Sequence, residues 1–168
     1  SHLIITAAII ESLPRDRVVK SAALLGAVAP DIPLYFLSLG SYLHQTQWQG
    51  KTSGDAFEYM YSVQFYHDPL WIMLHNVLHA PLVLIAGIAA VWLARGSFGG
   101  LLQSWWGWFF ASCLLHSFID IPTHFDDGPL IFFPFDWQTR FASPVSYWDP
   151  QRYGLQFGLF EGVLDLFL

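Results

Sequence analysis

The chain has 168 residues, of which 54% are hydrophobic, 18% aromatic and only 12% charged, with a net charge of −6. A soluble domain carries about a quarter charged residues, so this balance, with a mean hydropathy of +0.42, points to an integral membrane protein forming a single domain over 1–168. No basic patch exists to neutralise phosphates, which excludes a nucleic-acid partner, and the single cysteine, Cys113, excludes a disulfide framework or a Cys-based zinc cage.

Residues 2–13 form an apolar helical segment that stops at Pro14. Arg15, Asp16, Arg17 and Lys20 make a charged corner, and 18–29 reads as a second helix ending at Pro30. Each piece has about 12 residues, too short to cross a hydrocarbon core of about 30 Å at 1.5 Å per residue. A hairpin buried among other helices, a re-entrant pair and a longer helix truncated at its start all remain open. Residues 3–10 have no basic flank before them and no small-residue cleavage site behind them, so no cleavable signal peptide is expected.

Asp31-Ile32-Pro33 leads into the uncharged stretch 34–43, and the polar, glycine-containing 44–55 reads as a loop outside the membrane that includes His44. Residues 56–66 suit an amphipathic helix rich in aromatics. His67-Asp68-Pro69 is an ordinary helix entry with Asp68 near the N-cap, or an extension of the ionisable set. The strongest membrane signals follow: 69–94 and 97–119, uncharged runs of 26 and 23 residues joined at Arg95, each long enough to span. Between Pro129 and Pro150 the chain is aromatic and proline-broken, suited to the bilayer interface or to covering a core. Residues 154–168, with Glu161 and Asp165, make a last helix. The expected fold is therefore an all-α, multi-pass transmembrane bundle with a short N-terminal helical hairpin and an aromatic interfacial loop.

His116 and Asp120 lie four residues apart and share a helix face. An imidazole beside a carboxylate is half of a divalent-metal site. His75 and His79 have the same spacing, by which a helix offers two imidazoles to one ion. If 69–94 and 97–119 are antiparallel, both sets lie away from Arg95. In the N-terminal hairpin His2 and Asp31 likewise lie opposite Arg15, Arg17 and Lys20. His2, Asp31, His75, His79, His116 and Asp120 then gather at one level. Ionisable groups at membrane depth default to a functional role; interhelical hydrogen bonding accounts for one pair of imidazoles, but not for the whole set. The basic residues mark the opposite side as cytoplasmic by the positive-inside rule, so the site faces away from the cytoplasm.

Ser1-His2-Leu3, Ala29-Pro30-Asp31-Ile32, His75-Asn76-Val77-Leu78-His79-Ala80, and His116 with Asp120, Thr123 and Gly128 form an ordered set. In this order the motifs resemble the membrane-bound metal-dependent hydrolase family, itself similar in motif order to zinc-dependent phospholipase C proteins. The resemblance covers residues 1–135 and implies those same six side chains as ligands of a divalent metal, zinc by analogy, in a hydrolytic site. Two departures stand out. Pro33 replaces a second acid after Pro-Asp-Ile, and the His pair lacks an intervening Arg that would bind an anionic phosphate.

Three functions follow as expectations. The first is a membrane hydrolase cleaving an ester or phosphoester of a lipid-like substrate. Asp120 or Asp31 serves there as ligand or base, and Asp127 and Asp126 are further general-base candidates. The second is a non-catalytic membrane subunit, bound to partner helices, with a structural or vestigial metal. The third, ranked last, is transport of a metal ion or proton along the His/Asp set.

Overall fold

The computed structural model describes residues 1–12 and 16–168, and every regular element among them is helical. The expected bend at Pro14 and Arg15 lies outside the described residues. Helix α1 (His2–Glu11) and helix α2 (Arg17–Val28) pack against each other through Ile10, Val19 and Ala23. Lys20 bonds Glu11 at 2.8 Å, joining the end of α1 to the start of α2, so the two run antiparallel as a hairpin. Asp16 caps α2 by accepting the Val19 N–H.

Pro30 does not end the helical path. Helix α3 (Ile32–Leu43) continues from α2, and Val19–Trp48 forms one helix of 30 residues, long and apolar enough to cross a membrane. This corrects the expectation of a separate short helix ending at Pro30. The physical reason lies in the backbone bonds. Asp31 N–H turns to Val28 O and Ile32 N–H to Ala29 O, tightening one turn so that the chain passes a residue that has no N–H to give. The stretch expected as a polar loop begins with a π-helical turn, His44–Trp48, which prolongs this rod.

Helix α4 (Ser53–Tyr59), a π-helical turn and the short α5 (Phe65–His67) make the amphipathic segment. Asp68 accepts the Leu70 N–H at 2.8 Å, so it is the N-cap of helix α6 (Pro69–Asn76). The run 69–94 is not one straight helix. It divides into α6 and α7 (Pro81–Arg95), bent by 47° at the break before Pro81, and only the pair together has the length and apolarity of a span. Residues 97–119 divide as well, into α8 (Phe98–Leu102) and α9 (Trp105–Asp120). Ser104 interrupts that run because its hydroxyl caps α9 at Gly107 N–H. The irregular segment 129–150 carries one antiparallel bridge, Leu130–Arg140, and α10 (Gly154–Phe167) ends the chain.

The centre is α9, with α2 and α7 beside it. Ala23 O accepts from Ser112 Oγ and Ala27 O from His116 Nδ1, so α2 runs parallel to α9. Gly87 faces Phe110, and His79 O accepts from Ser117 Oγ, so α7 runs antiparallel to α9. Small residues permit the closest approach: a Cβ on Gly26 would meet Phe109 O at 2.4 Å. This directionality carries Asp31, His79, His116 and Asp120 to one end of the bundle, and Arg17, Lys20 and Arg95 to the other.

Candidate metal centre

Four side chains from three places in the sequence meet at this end. Asp31 stands at the α2–α3 turn, His79 at the α6–α7 break, and His116 and Asp120 on the last turns of α9. One donor atom from each lies within 4.8 Å of all the others, and both imidazoles and Asp120 are buried. His79 Nε2 and His116 Nε2 are each 3.0 Å from Asp120 Oδ2, and 3.7 and 3.5 Å from Asp31 Oδ1. Donors about 2.0–2.1 Å from a tetrahedral ion are separated by about 3.3 Å, and the observed distances bracket that value.

The two breaks in the helices orient the imidazoles. Because Asp31 N–H turns to Val28 O, Ala27 O accepts instead from His116 Nδ1 at 2.8 Å. At the second break His79 N–H turns to Asn76 O, and His75 O takes His79 Nδ1 at 3.2 Å. Each histidine thus gives its Nδ1 proton to a backbone carbonyl and presents Nε2 to two carboxylates. A neutral Nε2 turns a lone pair onto carboxylate oxygens, a repulsion that either a proton on Nε2 or a cation between the groups relieves. His116 Nε2 is buried without an aligned hydrogen-bond partner. The donor set therefore suits a divalent cation, and the backbone carbonyls supply the orientation that metal-bound histidines require.

The other expected residues sit around this group. His2 stacks on His116 with ring centroids 3.9 Å apart, and its Nε2 is 2.9 Å from Asp120 Oδ1. His75 is buried with its ring 4.5 Å from His79, but it does not belong to the four-donor group. Its Nδ1 has no partner, and the residue lines the adjoining cavity. Asp127 lies 3.1 Å through Oδ2 from His124 Nδ1, and its Oδ1 is buried without a partner. His44 stacks on Trp48 and takes no part.

Sequence reasoning missed His124, whose Nε2 is 3.8 Å from Asp120 Oδ1. It stands four residues after Asp120, but Pro122 lies between them and a proline can end a helix. The chain nevertheless keeps a helical turn there, with His124 N–H bonded to Asp120 O and Thr123 Oγ1 to Ile119 O. Burial works to lower the His124 pKa, but the hydrogen bond and charge of Asp127 outweigh it, and the group lies above its ordinary value. This is a place that favours a cation.

The site opens into a cavity of about 1010 Å³. Tyr35, Phe65, Phe125 and Trp148 are among its aromatic walls. Asp126, Asp127, Asp149 and Glu161 also line it, against Arg152 alone among lysines and arginines. Tyr66, on the wall, is pushed up to about 12 by burial and by the charges of Asp126 and Asp127. Tyr147 is also raised, by burial and by its 2.5 Å hydrogen bond to Glu161. Both phenols are therefore neutral hydrogen-bonding groups at ordinary pH.

Over residues 1–164 the sequence matches the family described as YdjM inner membrane protein. The chain belongs to that family. A bilayer setting explains the large apolar side chains left exposed on α3, α7 and α10, such as Phe36, Leu93 and Leu166. The YdjM match carries no hydrolase or phospholipase C likeness, and no curated protein or solved structure matches the chain.

Proposed function

We propose that this YdjM-family chain is a metal-dependent membrane hydrolase acting on an ester or phosphoester of a lipid-like substrate. The observation that carries the reading is the pair of imidazoles His79 and His116, each held through Nδ1 by a backbone carbonyl and turned through Nε2 onto Asp31 and Asp120. Two imidazoles and two carboxylates suit Zn²⁺. A bound ion there supplies a water acidified toward neutrality and polarises the substrate oxygen.

The chain's own groups complete the chemistry. Asp120 has one oxygen near His79 and His116 and the other near His2, so it serves as a ligand rather than a base. Asp127 Oδ1, without a partner in the cavity wall, takes the proton of the attacking water. His75, with its unpaired ring nitrogen, hydrogen-bonds the substrate rather than the ion. Aromatic walls around about 1010 Å³ suit an acyl chain or other amphiphile. The acidic lining disfavours a dianionic phosphate and favours a neutral ester. Val19–Trp48 and the bent α6–α7 pair are the spans of a multi-pass bundle, in which the 16-residue α9 packs between them, with Arg17, Lys20 and Arg95 on the cytoplasmic side and the site on the other.

The test uses purified protein in lipid vesicles with chromogenic acyl-ester and phosphodiester amphiphiles. Turnover should disappear on chelation, return with Zn²⁺, and be absent in Asp120→Ala. Turnover unchanged by chelation, or none with either ester class after Zn²⁺ loading, contradicts the reading.

A further inference from the structure

Helix α10 has its acids and its large apolar side chains on opposite faces, turned the reverse way from those of a helix in water. Phe157, Glu161 and Asp165, spaced by four, share the face that meets the protein. The Phe157 and Tyr147 rings pack edge to face with centroids 4.9 Å apart, Tyr147 donates to Glu161 at 2.5 Å, and Ser1 Oγ donates to Asp165 at 2.9 Å. Leu155, Leu159, Phe160, Val163, Leu166 and Phe167 turn away and are 53–87% exposed. In water the apolar face would pack inward, and a contiguous apolar stripe facing out marks an interaction surface. The inward contacts all lie at the site end of the bundle. Tyr147 stands beside His124, with ring centroids 5.4 Å apart, and Ser1 opens α1 next to His2. Positions 157, 161 and 165 cover about two turns yet meet only these two residues, so α10 lies across the end of the bundle rather than down its side.

We infer that α10 lies in the plane of the membrane, with its apolar stripe in the lipid of the leaflet at the site end. Depth supports this. The 16 residues of α9 rise about 24 Å at 1.5 Å per residue, against a hydrocarbon core of about 30 Å. Arg17, Lys20 and Arg95 at the far end belong in the headgroup zone, which brings the site end close to the opposite boundary. The 14 residues of α10 reach about 21 Å, too short to cross, so the helix lies along that boundary. Trp148 and Tyr153, 78% and 61% exposed, lead into it, and rings with one polar edge favour the headgroup level. The occupant is the one that covers the exposed apolar side chains of α3 and α7 in an inner membrane protein. Because Glu161 and Asp165 turn away from the stripe, no carboxylate of α10 faces the lipid, and an apolar face of this kind sinks about 5–10 Å into the boundary. Glu161 and Tyr147 also line the cavity, so α10 is a lipid-side wall, past which an amphiphile reaches the cavity from the leaflet. The placement of α10 does not depend on the hydrolase reading.

The test is depth-dependent fluorescence quenching in vesicles of phosphatidylethanolamine and phosphatidylglycerol, which reads neither metal nor turnover. Leu159→Cys and Leu166→Cys each receive an environment-sensitive maleimide dye. Wild type, whose one cysteine, Cys113, is buried, serves as the unlabelled control. Ala89→Cys, at an exposed position midway along α7, marks the depth of the bilayer centre. Nitroxides sit on the lipid either at the top of the acyl chain or at its end. Both α10 labels should be quenched several-fold more by the shallow nitroxide than by the deep one, and to the same extent as each other, whereas the Ala89→Cys label should show the reverse. Deep quenching that grows from position 159 to 166 means that α10 descends through the core and overturns the inference. Quenching by aqueous iodide alone means that the stripe faces water, and quenching by none of the three means that a second copy or another protein covers it. Either result overturns the inference while leaving the hydrolase reading intact.

Discussion

The bundle of α1, α2, α7 and α9 and the outer layer of α4, 129–150 and α10 are built on opposite terms. In the bundle, glycine, alanine and serine bring backbones together, as at Gly26 against Phe109 O and Ser112 Oγ against Ala23 O. In the outer layer, large rings such as Phe135 and Trp148 are exposed, and α10 is tied back mainly by polar contacts of Tyr147 with Glu161 and of Ser1 with Asp165. Close backbone packing fixes where a carbonyl points, and the imidazoles of the site are held by carbonyls. A loosely attached aromatic layer fixes little, and it supplies part of the cavity wall, Pro129, Tyr147 and Trp148, beside Tyr35 of α3 and Phe65 of α5. The contrast puts the candidate ligands against the tight layer and, on the proposed reading, part of the substrate contact in the loose one.

The largest break in that contrast should come from Gly26→Leu. Its side chain would enter the space held by Phe109 O and Ser112 Cβ. Overpacking of this kind costs about 1–3 kcal/mol, so thermal unfolding in detergent should fall by several degrees, with metal binding lost as α2 moves off α9. An unchanged midpoint would mean that the close approach is not needed. Pro81→Ala tests orientation rather than packing. A restored N–H lets the helix run on through the break and draws His75 O back into the backbone ladder. Metal affinity should weaken by about 10–100-fold, the usual effect of losing a group that orients a ligand, while the fold remains. Equal affinity would separate the break from the site. The smallest effect belongs to the outer layer: Trp148→Ala, 78% exposed, should change stability by no more than about 0.5 kcal/mol and leave metal affinity as it was. Altered lipid-substrate affinity alone would sharpen the division of roles.

Much of the site's placement was legible because spacing and topology are local rules. His116 and Asp120 share a face by helical period, and the antiparallel course of α7 and α9 follows from the short connection at Arg95. The N-terminal hairpin was one of three readings that the short apolar segments left open. The breaks were read less well. Composition showed 69–94 and 97–119 as uninterrupted runs, but apolarity does not report backbone continuity. Pro81 and Ser104 divide them, whereas Pro30, which looked like a stop, is passed by one tightened turn. The release of Ala27 O and His75 O to the imidazoles follows from those same prolines, so the signal was present but its consequence is three-dimensional. His124 was lost for a related reason: a proline in a helix's last turn need not turn the chain away.

The most direct test of the central claim, that Asp31, His79, His116 and Asp120 hold a divalent ion, is anomalous diffraction at the zinc edge from crystals of the Zn²⁺-loaded protein. The account predicts a strong peak about 2.0–2.1 Å from the nearest donor atoms of those four side chains. Zinc peaks only elsewhere, such as at His44 on the surface, or none at this end of α9, would contradict it.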